Sequence, residues 1–454
     1  MRKVYFAFAF ITLLSFNLFE RADAADPTAP EIAALRAEID TLKQHYNAEI
    51  AGLEVRLKRA EAGLEDRTAA PLAQPVPSPT VATAAPVVIS NPASSASALN
   101  PATSLVLIGN YAALSRNPAQ FGIPGFALPG SAGPGVRGFS LGESELTLSA
   151  NIDDKFYGSL TTSLSVEHGN TSIALEEAYF QTLALPYSLT LKGGRFFSRI
   201  GYLNEQHPHA DDFVDRPLAY QVFLNNTLGD DGLQLRWLAP LDQFLEFGAE
   251  AYRGDSFPAN GARGHGLGTY TAFVHLGDDL TDEWSYRLGG SYVHAEAAGR
   301  TTGNLPDVFD GTSELAIADM IFKWAPNGNP AQRNLKLQGE YLRRWESGQF
   351  NGGQYTGSQD GFYLQAVYQF RPRWRIGLRY DGLFADNTGS GIVGTPLDAL
   401  GHDPNRGSVL FEFDNSEFSR LRLQYSVDNS AHETDHQLYL NYIYSLGAHG
   451  AHQF

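Results

Sequence analysis

Two histidines flank a proline in the run Gly201-Tyr-Leu-Asn-Glu-Gln-His-Pro-His-Ala-Asp-Asp-Phe-Val-Asp-Arg216, with Glu205, Asp211, Asp212 and Asp215 close by. Imidazole and carboxylate are the groups that hold zinc and similar divalent ions where thiolate is missing. The chain contains no cysteine, so His207, His209, Asp211 and Asp212 are the first candidates for metal ligation. In an extended segment both rings fall on one side. Pro208 and the carboxylates serve equally well to fix a loop by hydrogen bonds, and both readings stay open here. His432 and His436, with Glu433 and Asp435 between them, form a second candidate group. No spacing of Ser, His and Asp suggests a nucleophile with its base, so the chain is read as a non-enzyme that requires no cofactor, with Zn2+ as a bound or transported ligand.

A second set of chemistry-bearing residues recurs at period two. Glu143 and Glu145, Lys336 and Glu340, Arg375 and Arg379, Glu412, and Arg420 and Arg422 each have apolar neighbours at odd offsets. Unpaired ions in an apolar core are very costly, so these positions are expected to line a water-filled lumen. Acidic residues gather near Ser140 and basic ones near Arg373 and Ser419, a layout that sets a transverse field for polar solutes. The alternative is a wall of salt bridges that closes the interior.

Such side chains need a sheet to carry them. From about Thr103 onward the chain reads as about sixteen alternating segments, as in His436 to Leu446, where Leu438, Leu440, Tyr442, Tyr444 and Leu446 share a face. Gln437, Tyr439, Asn441 and Ser445 share the other. Within a bilayer every backbone polar group must be paired inside the protein, so strands cross only as a closed sheet. The expected fold is therefore an all-β transmembrane barrel of about 16 antiparallel strands. Strands are expected to begin near Ser104, Ser140, Lys155, Ser172, Tyr187, Asp231, Gln243, Leu267, Glu283, Thr312, Asn334, Asp360, Arg373, Ser408, Ser419 and His436. The odd connections, including 113–139, 198–230, 295–311 and 383–407, read as long external loops and the even ones as turns. On that scheme His168, His265, His294 and His402 lie on the external side, and His449 and His452 at the periplasmic end.

Composition agrees with a barrel, because only alternate residues need be apolar: 21 Tyr, 28 Phe and 45 Gly accompany an acidic net charge of -17. That charge argues against nucleic acid as a partner and favours cations over anions. Residues 1–24 read as a signal peptide: Met1-Arg2-Lys3, the apolar run Val4 to Phe19, and Ala22-Asp23-Ala24. Residues 25–66 carry Ile32, Leu35, Ile39, Leu42 and Tyr46, then Ile50, Leu53, Leu57, Ala60 and Leu64, a coiled-coil seam with one stutter. A single helix lying on the barrel is the alternative. Residues 67–102 read as an Ala/Pro/Ser-rich disordered linker, and 103–454 as the barrel.

The segments GRFFSRIGYLNEQHPHADDFVDRPLAYQVFL from Gly194, YSLGAHGAHQF from Tyr444 and LGESELTLSANIDDKFYGSL from Leu141 resemble a family of proteobacterial outer-membrane proteins labelled zinc-regulated TonB-dependent receptors. The resemblance runs from about Leu141 onward and implies zinc-linked expression and uptake at the outer membrane. About 350 residues hold a porin-like barrel without a plug domain, not a receptor of 22 strands. The expectation is a porin-like outer-membrane channel or uptake protein for zinc or a zinc complex, with its third loop folded inward. The alternative is a ligand-binding receptor or structural tether with a closed barrel. Outer-membrane lipid, a homotrimer, and periplasmic or cell-wall contact through the coiled coil are the expected partners.

Overall fold

The computed structural model describes residues 101–167, 170–261, 266–303 and 307–447. The expected signal peptide, the coiled coil and nearly all of the linker lie outside them, as do His168, His265, His449 and His452.

Seventeen strand segments form one sheet. The first is β1 (Ala102–Leu114); β2 (Gly138–Leu141) and β3 (Ser144–Asn151) are two halves of the next. β4 (Phe156–Glu167), β5 (Asn170–Thr182), β6 (Leu189–Phe197), β7 (Gly229–Leu238), β8 (Phe244–Tyr252) and β9 (Thr269–Thr281) follow. Then come five long strands, β10 (Trp284–Thr301), β11 (Val308–Trp324), β12 (Asn334–Phe350), β13 (Gly353–Arg371) and β14 (Trp374–Gly389). β15 (Asn405–Ser416), β16 (Ser419–Asn429) and β17 (Asp435–Gly447) complete the circuit. Each strand pairs antiparallel with its neighbour in the chain, and β1 pairs on one edge with β17 and on the other with β2 and β3. The seventeen segments therefore make a closed barrel of sixteen staves.

Two irregularities interrupt the ladder. Leu141 stands opposite Gly109 and Glu145 opposite Val106, so Gly142, Glu143 and Ser144 fill the space of two residues. In β5, Glu177 pairs with Thr161 and Leu175 with Thr162, which leaves Glu176 as an extra residue. A bulge of this kind suspends the alternation locally and re-aims side chains. Two consecutive glutamates can then reach one side.

Alternation holds elsewhere. In β17 the inward residues Asp435, Gln437, Tyr439, Asn441, Ile443 and Ser445 are buried, while His436, Leu438, Leu440, Tyr442, Tyr444 and Leu446 stay exposed. The outer face is thus apolar where water would penalise it, which suits a lipid environment. Aromatic pairs mark its lower edge, Trp237 with Phe247, Trp284 with Trp324, and Trp374 with Phe413. Phe362 with Tyr380 and Phe384 marks the upper edge, and the outward ion pairs His294–Glu314 and Arg343–Asp360 lie at that level.

The interior is packed with the barrel's own loops. The 198–228 connection between β6 and β7 turns inward and carries a short helix, α1 (Leu218–Leu224), every residue of which is buried. Its apolar side chains share one core with Val293, Leu315, Ile317, Leu342, Tyr363 and Leu383 of the wall, and with Ile123, Phe126 and Leu128 of the 115–137 connection. Burying one such side chain contributes about 1.5–3 kcal/mol, so this core holds the loop in place. The helix starts where Leu218 N–H donates to Asp381 Oδ1 at 3.0 Å, and stops at Asn225 in the left-handed conformation.

Gly361 makes room for the helix: a Cβ there would come within 2.9 Å of Ala219 Cβ and 2.8 Å of Phe223. Gly361→Val is expected to cost about 1–3 kcal/mol through overpacking. The measurement is the temperature at which the folded band disappears on an unboiled detergent gel. An unchanged temperature would mean that the helix does not pack tightly against β13.

The expected long external loops are partly strand. β10 runs to Thr301 and β14 to Gly389, and β12 and β13 are joined by Asn351 and Gly352 alone. The two-residue turn has positive φ at both positions, 52° and 78°. Asn-Gly suits such a turn because its twist matches that of the flanking strands.

Candidate metal centre

His207 and His209 come together inside the barrel. Pro208 opens a single 3-10 turn, Pro208–Ala210, closed by Ala210 N–H donating to His207 O at 2.8 Å. The turn, rather than an extended segment, stacks the two rings with centroids 5.8 Å apart and planes 22° apart. Phe197 packs on His207 at 4.9 Å.

The wall supplies the carboxylates. Glu145 Oε2 lies 3.0 Å from His207 Nδ1, and Glu145 Oε1 lies 2.9 Å from His209 Nδ1. Glu176 Oε2 is 3.1 Å from His207 Nδ1, and Glu177 Oε2 is 3.1 Å from His207 Nε2. The bulge at Glu176 is what lets both glutamates reach one ring. His207 keeps 18 % of its side chain exposed and Glu145 only 2 %, so the centre is shielded but not sealed.

Ligand atoms of Glu145, Glu176 and His207 lie within 4.8 Å of one another. A tetrahedral zinc site with bonds of about 2.0–2.2 Å has ligand atoms a little over 3 Å apart, close to the distances from Nδ1 already present. A metal ion can therefore replace the proton on Nδ1 with small side-chain adjustments. Burial opposes charge on His207, but hydrogen bonds and charge from Glu145, Glu176 and Glu177 outweigh it and raise the ring well above the ordinary imidazole range. As an imidazolium, His207 donates from both nitrogens. This clamp is fully present below the usual imidazole value near 6.5 and is lost as pH rises through the raised one.

Asp211 and Asp212, adjacent in sequence to the histidines, turn the other way. Asp211 pairs with Arg216 at 2.6 Å. Asp212 meets Lys336 at 2.5 Å and Arg375 at 2.7 Å, and Asp215 meets Arg379 at 2.8 Å and Arg406 at 2.5 Å. The loop thus spans the barrel with its histidines on the acidic arc and its aspartates on the basic arc. Each half of HPHADDFVDR is complementary to the wall it touches.

This packing corrects the expectation of a water-filled lumen at the level of the loop. Glu145, Glu340, Arg379, Glu412, Arg420 and Arg422 are buried. Glu340 accepts hydrogen bonds from Tyr363 at 2.7 Å and from Tyr220 at 2.8 Å, and Glu412 is held by Arg375 at 2.7 Å. Lys336 and Arg375 keep 13 % and 16 % of their side chains exposed. Glu143 is exposed at the break between β2 and β3. The alternative, a wall of ion pairs, describes these residues better.

His432 and His436 are not brought together. His432 lies against His402, rings 4.7 Å apart; His436 faces outward and bonds Tyr425 Oη through Nδ1 at 2.8 Å.

No protein-family profile matches the chain. An uncharacterized protein of Aquifex aeolicus (strain VF5) is 33% identical over 346 residues, an alignment covering 70% of each chain. Among solved structures, an anion-selective porin from Comamonas acidovorans superposes with a TM-score of 0.50 at 9% identity, over 76% of this chain and 99% of that one. A loop-deletion form of OmpT, an outer-membrane protein of Vibrio cholerae, gives 0.49 at 9% identity, over 76% and 99%. The outer-membrane channel DcaP of Acinetobacter baumannii gives 0.47 at 14% identity, over 76% and 96%. The likeness to the Comamonas porin is one of fold.

Proposed function

We infer a function from this premise: the chain belongs to one family with the uncharacterized Aquifex aeolicus protein, and its barrel is of porin type. It is an outer-membrane uptake protein for a divalent transition metal, zinc above all, with the 198–228 loop as its selective constriction. The observation that carries this reading is the cluster of His207, His209, Glu145, Glu176 and Glu177 inside a closed barrel. Neutral imidazole and carboxylate suit zinc where thiolate is lacking, and the partial exposure of His207 leaves the site open to exchange. Asp211 and Asp212 act by seating the loop through Arg216, Lys336 and Arg375.

The test is radioactive zinc uptake into liposomes containing the full chain, against the variant with His207→Ala and His209→Ala. The parent is expected to load zinc well above empty liposomes and the variant to lose most of that uptake. Equal uptake by both would remove zinc selectivity from the reading and leave a general porin.

Because zinc must displace the proton on His207, its affinity rises with pH. As pH falls, binding is expected to weaken by up to about tenfold per unit for each proton displaced, and the weakening sets in while pH is still above 6.5 because the carboxylates hold that proton. Zinc titrations between pH 6 and pH 9 provide the check. A flat profile would show that His207 does not ligate the metal.

A further inference from the structure

The guanidinium groups of Arg420 and Arg422 are buried and poorly supplied with counter-charge. Both face inward from β16. Arg422 Nη1 donates to main-chain carbonyls, Asp211 O at 2.7 Å, Phe213 O at 3.2 Å and Asp212 O at 3.3 Å. Its Nε donates to Asn441 Oδ1 at 2.8 Å. Arg420 Nη2 also donates to Asp211 O, at 3.1 Å, and its Nε has no hydrogen-bond partner. The carboxylate nearest Arg420 is Glu412 at 3.8 Å, whose other oxygen belongs to Arg375. Among the described residues no carboxylate lies within ion-pair distance of Arg422.

Guanidinium has the geometry of a two-pronged carboxylate or phosphate receptor, and its bonds to an anion are markedly stronger than those to a neutral carbonyl. Three main-chain carbonyls, and among the described residues no carboxylate at ion-pair distance, converge on one buried guanidinium. They belong to residues 211–213, two positions beyond His209, a chain distance of about 7 Å. The metal centre and the two arginines thus lie at the ends of one short stretch of loop.

Resting on the zinc reading above, we propose that the metal is taken as an anionic carboxylate chelate, with Arg420 and Arg422 as the subsite for its free carboxylates. A bare cation at His207 meets the glutamates and leaves Arg420 and Arg422 on their main-chain carbonyls. A chelate with unsatisfied carboxylates presents metal to the glutamates and anionic oxygens to the arginines. The 211–213 backbone occupies the arginines in the solute-free state and withdraws from them when the chelate is seated.

The experiment is equilibrium dialysis of the detergent-purified full chain with radioactive zinc and carbon-labelled citrate, added singly and together. Zinc and citrate are expected to be retained together at equal amounts, and citrate alone not to be retained. R420Q/R422Q should keep zinc but bind citrate at least tenfold more weakly. R420K/R422K keeps the charges, loses the forks, and should fall between; its unboiled gel mobility shows that the barrel is folded. Zinc retained by the parent with no citrate alongside it when both are present overturns the proposal, as does citrate retained equally well without zinc. Unchanged citrate retention in both variants overturns it too. If zinc is retained in neither form, the metal centre itself falls, and this inference with it.

Discussion

Glu145→Gln is expected to weaken zinc binding by at least the ~100-fold that loss of even an outer partner can cost a metal site. Glu145 touches both rings, one oxygen to each, and so constrains His207 and His209 at once. The amide keeps the volume and removes the charge. Zinc titration of the parent and variant, both folded by gel mobility, gives the answer. Binding equal to that of the parent would place the metal elsewhere and leave the cluster as an imidazolium clamp.

The second large effect concerns closure. Replacing Asp212 and Asp215 together by Asn removes the loop's negative charge opposite Lys336, Arg375, Arg379 and Arg406, leaving Arg375 with Glu412 and Arg379 and Arg406 sharing Asp381. Breaking a buried ion pair from one side costs about 3–5 kcal/mol, because the remaining cation is left uncompensated. Two such losses, about 6–10 kcal/mol together, rival what the loop's buried apolar residues supply at about 1.5–3 kcal/mol each, and the less compensated cations favour a hydrated interior. Single-channel conductance in planar bilayers is expected to rise several-fold over the parent. A folded variant with the parent's conductance would mean that the 218–224 helix alone keeps the barrel shut.

The circuit of staves was readable because alternation is local. Asn334 and Ser419 were expected as strand starts and are strand starts. Most other starts lie within a few residues. The upper ends were harder, because outside the lipid a strand no longer needs an apolar outer face, and the pattern fades where the ladder continues. Asn351-Gly352 was the sign of a continuing hairpin there.

The candidate site was half legible. His207 and His209 were visible from residue type and spacing, and the opposed acidic and basic arcs from period two. Glu176 and Glu177 were not, since period two sends consecutive residues to opposite faces and only the bulge overrides it. Two adjacent glutamates within IALEEAYF were the available sign. The roles of Asp211 and Asp212 depend on where a non-periodic loop runs through the interior, which no local rule supplies.

The staves are unequal in height. β6, β7 and β8 have 9, 10 and 9 residues, whereas β10 to β14 have 16 to 19. A crossing takes about 9–11 residues, so one side of the rim ends near the membrane surface while the other stands well clear of it. The low side is where the histidine loop leaves the wall. An anionic membrane surface gathers counter-ions within a Debye length of about 8–10 Å, and solutes drawn from that layer reach the loop over a sill, while those in free suspension beyond the high side meet a parapet.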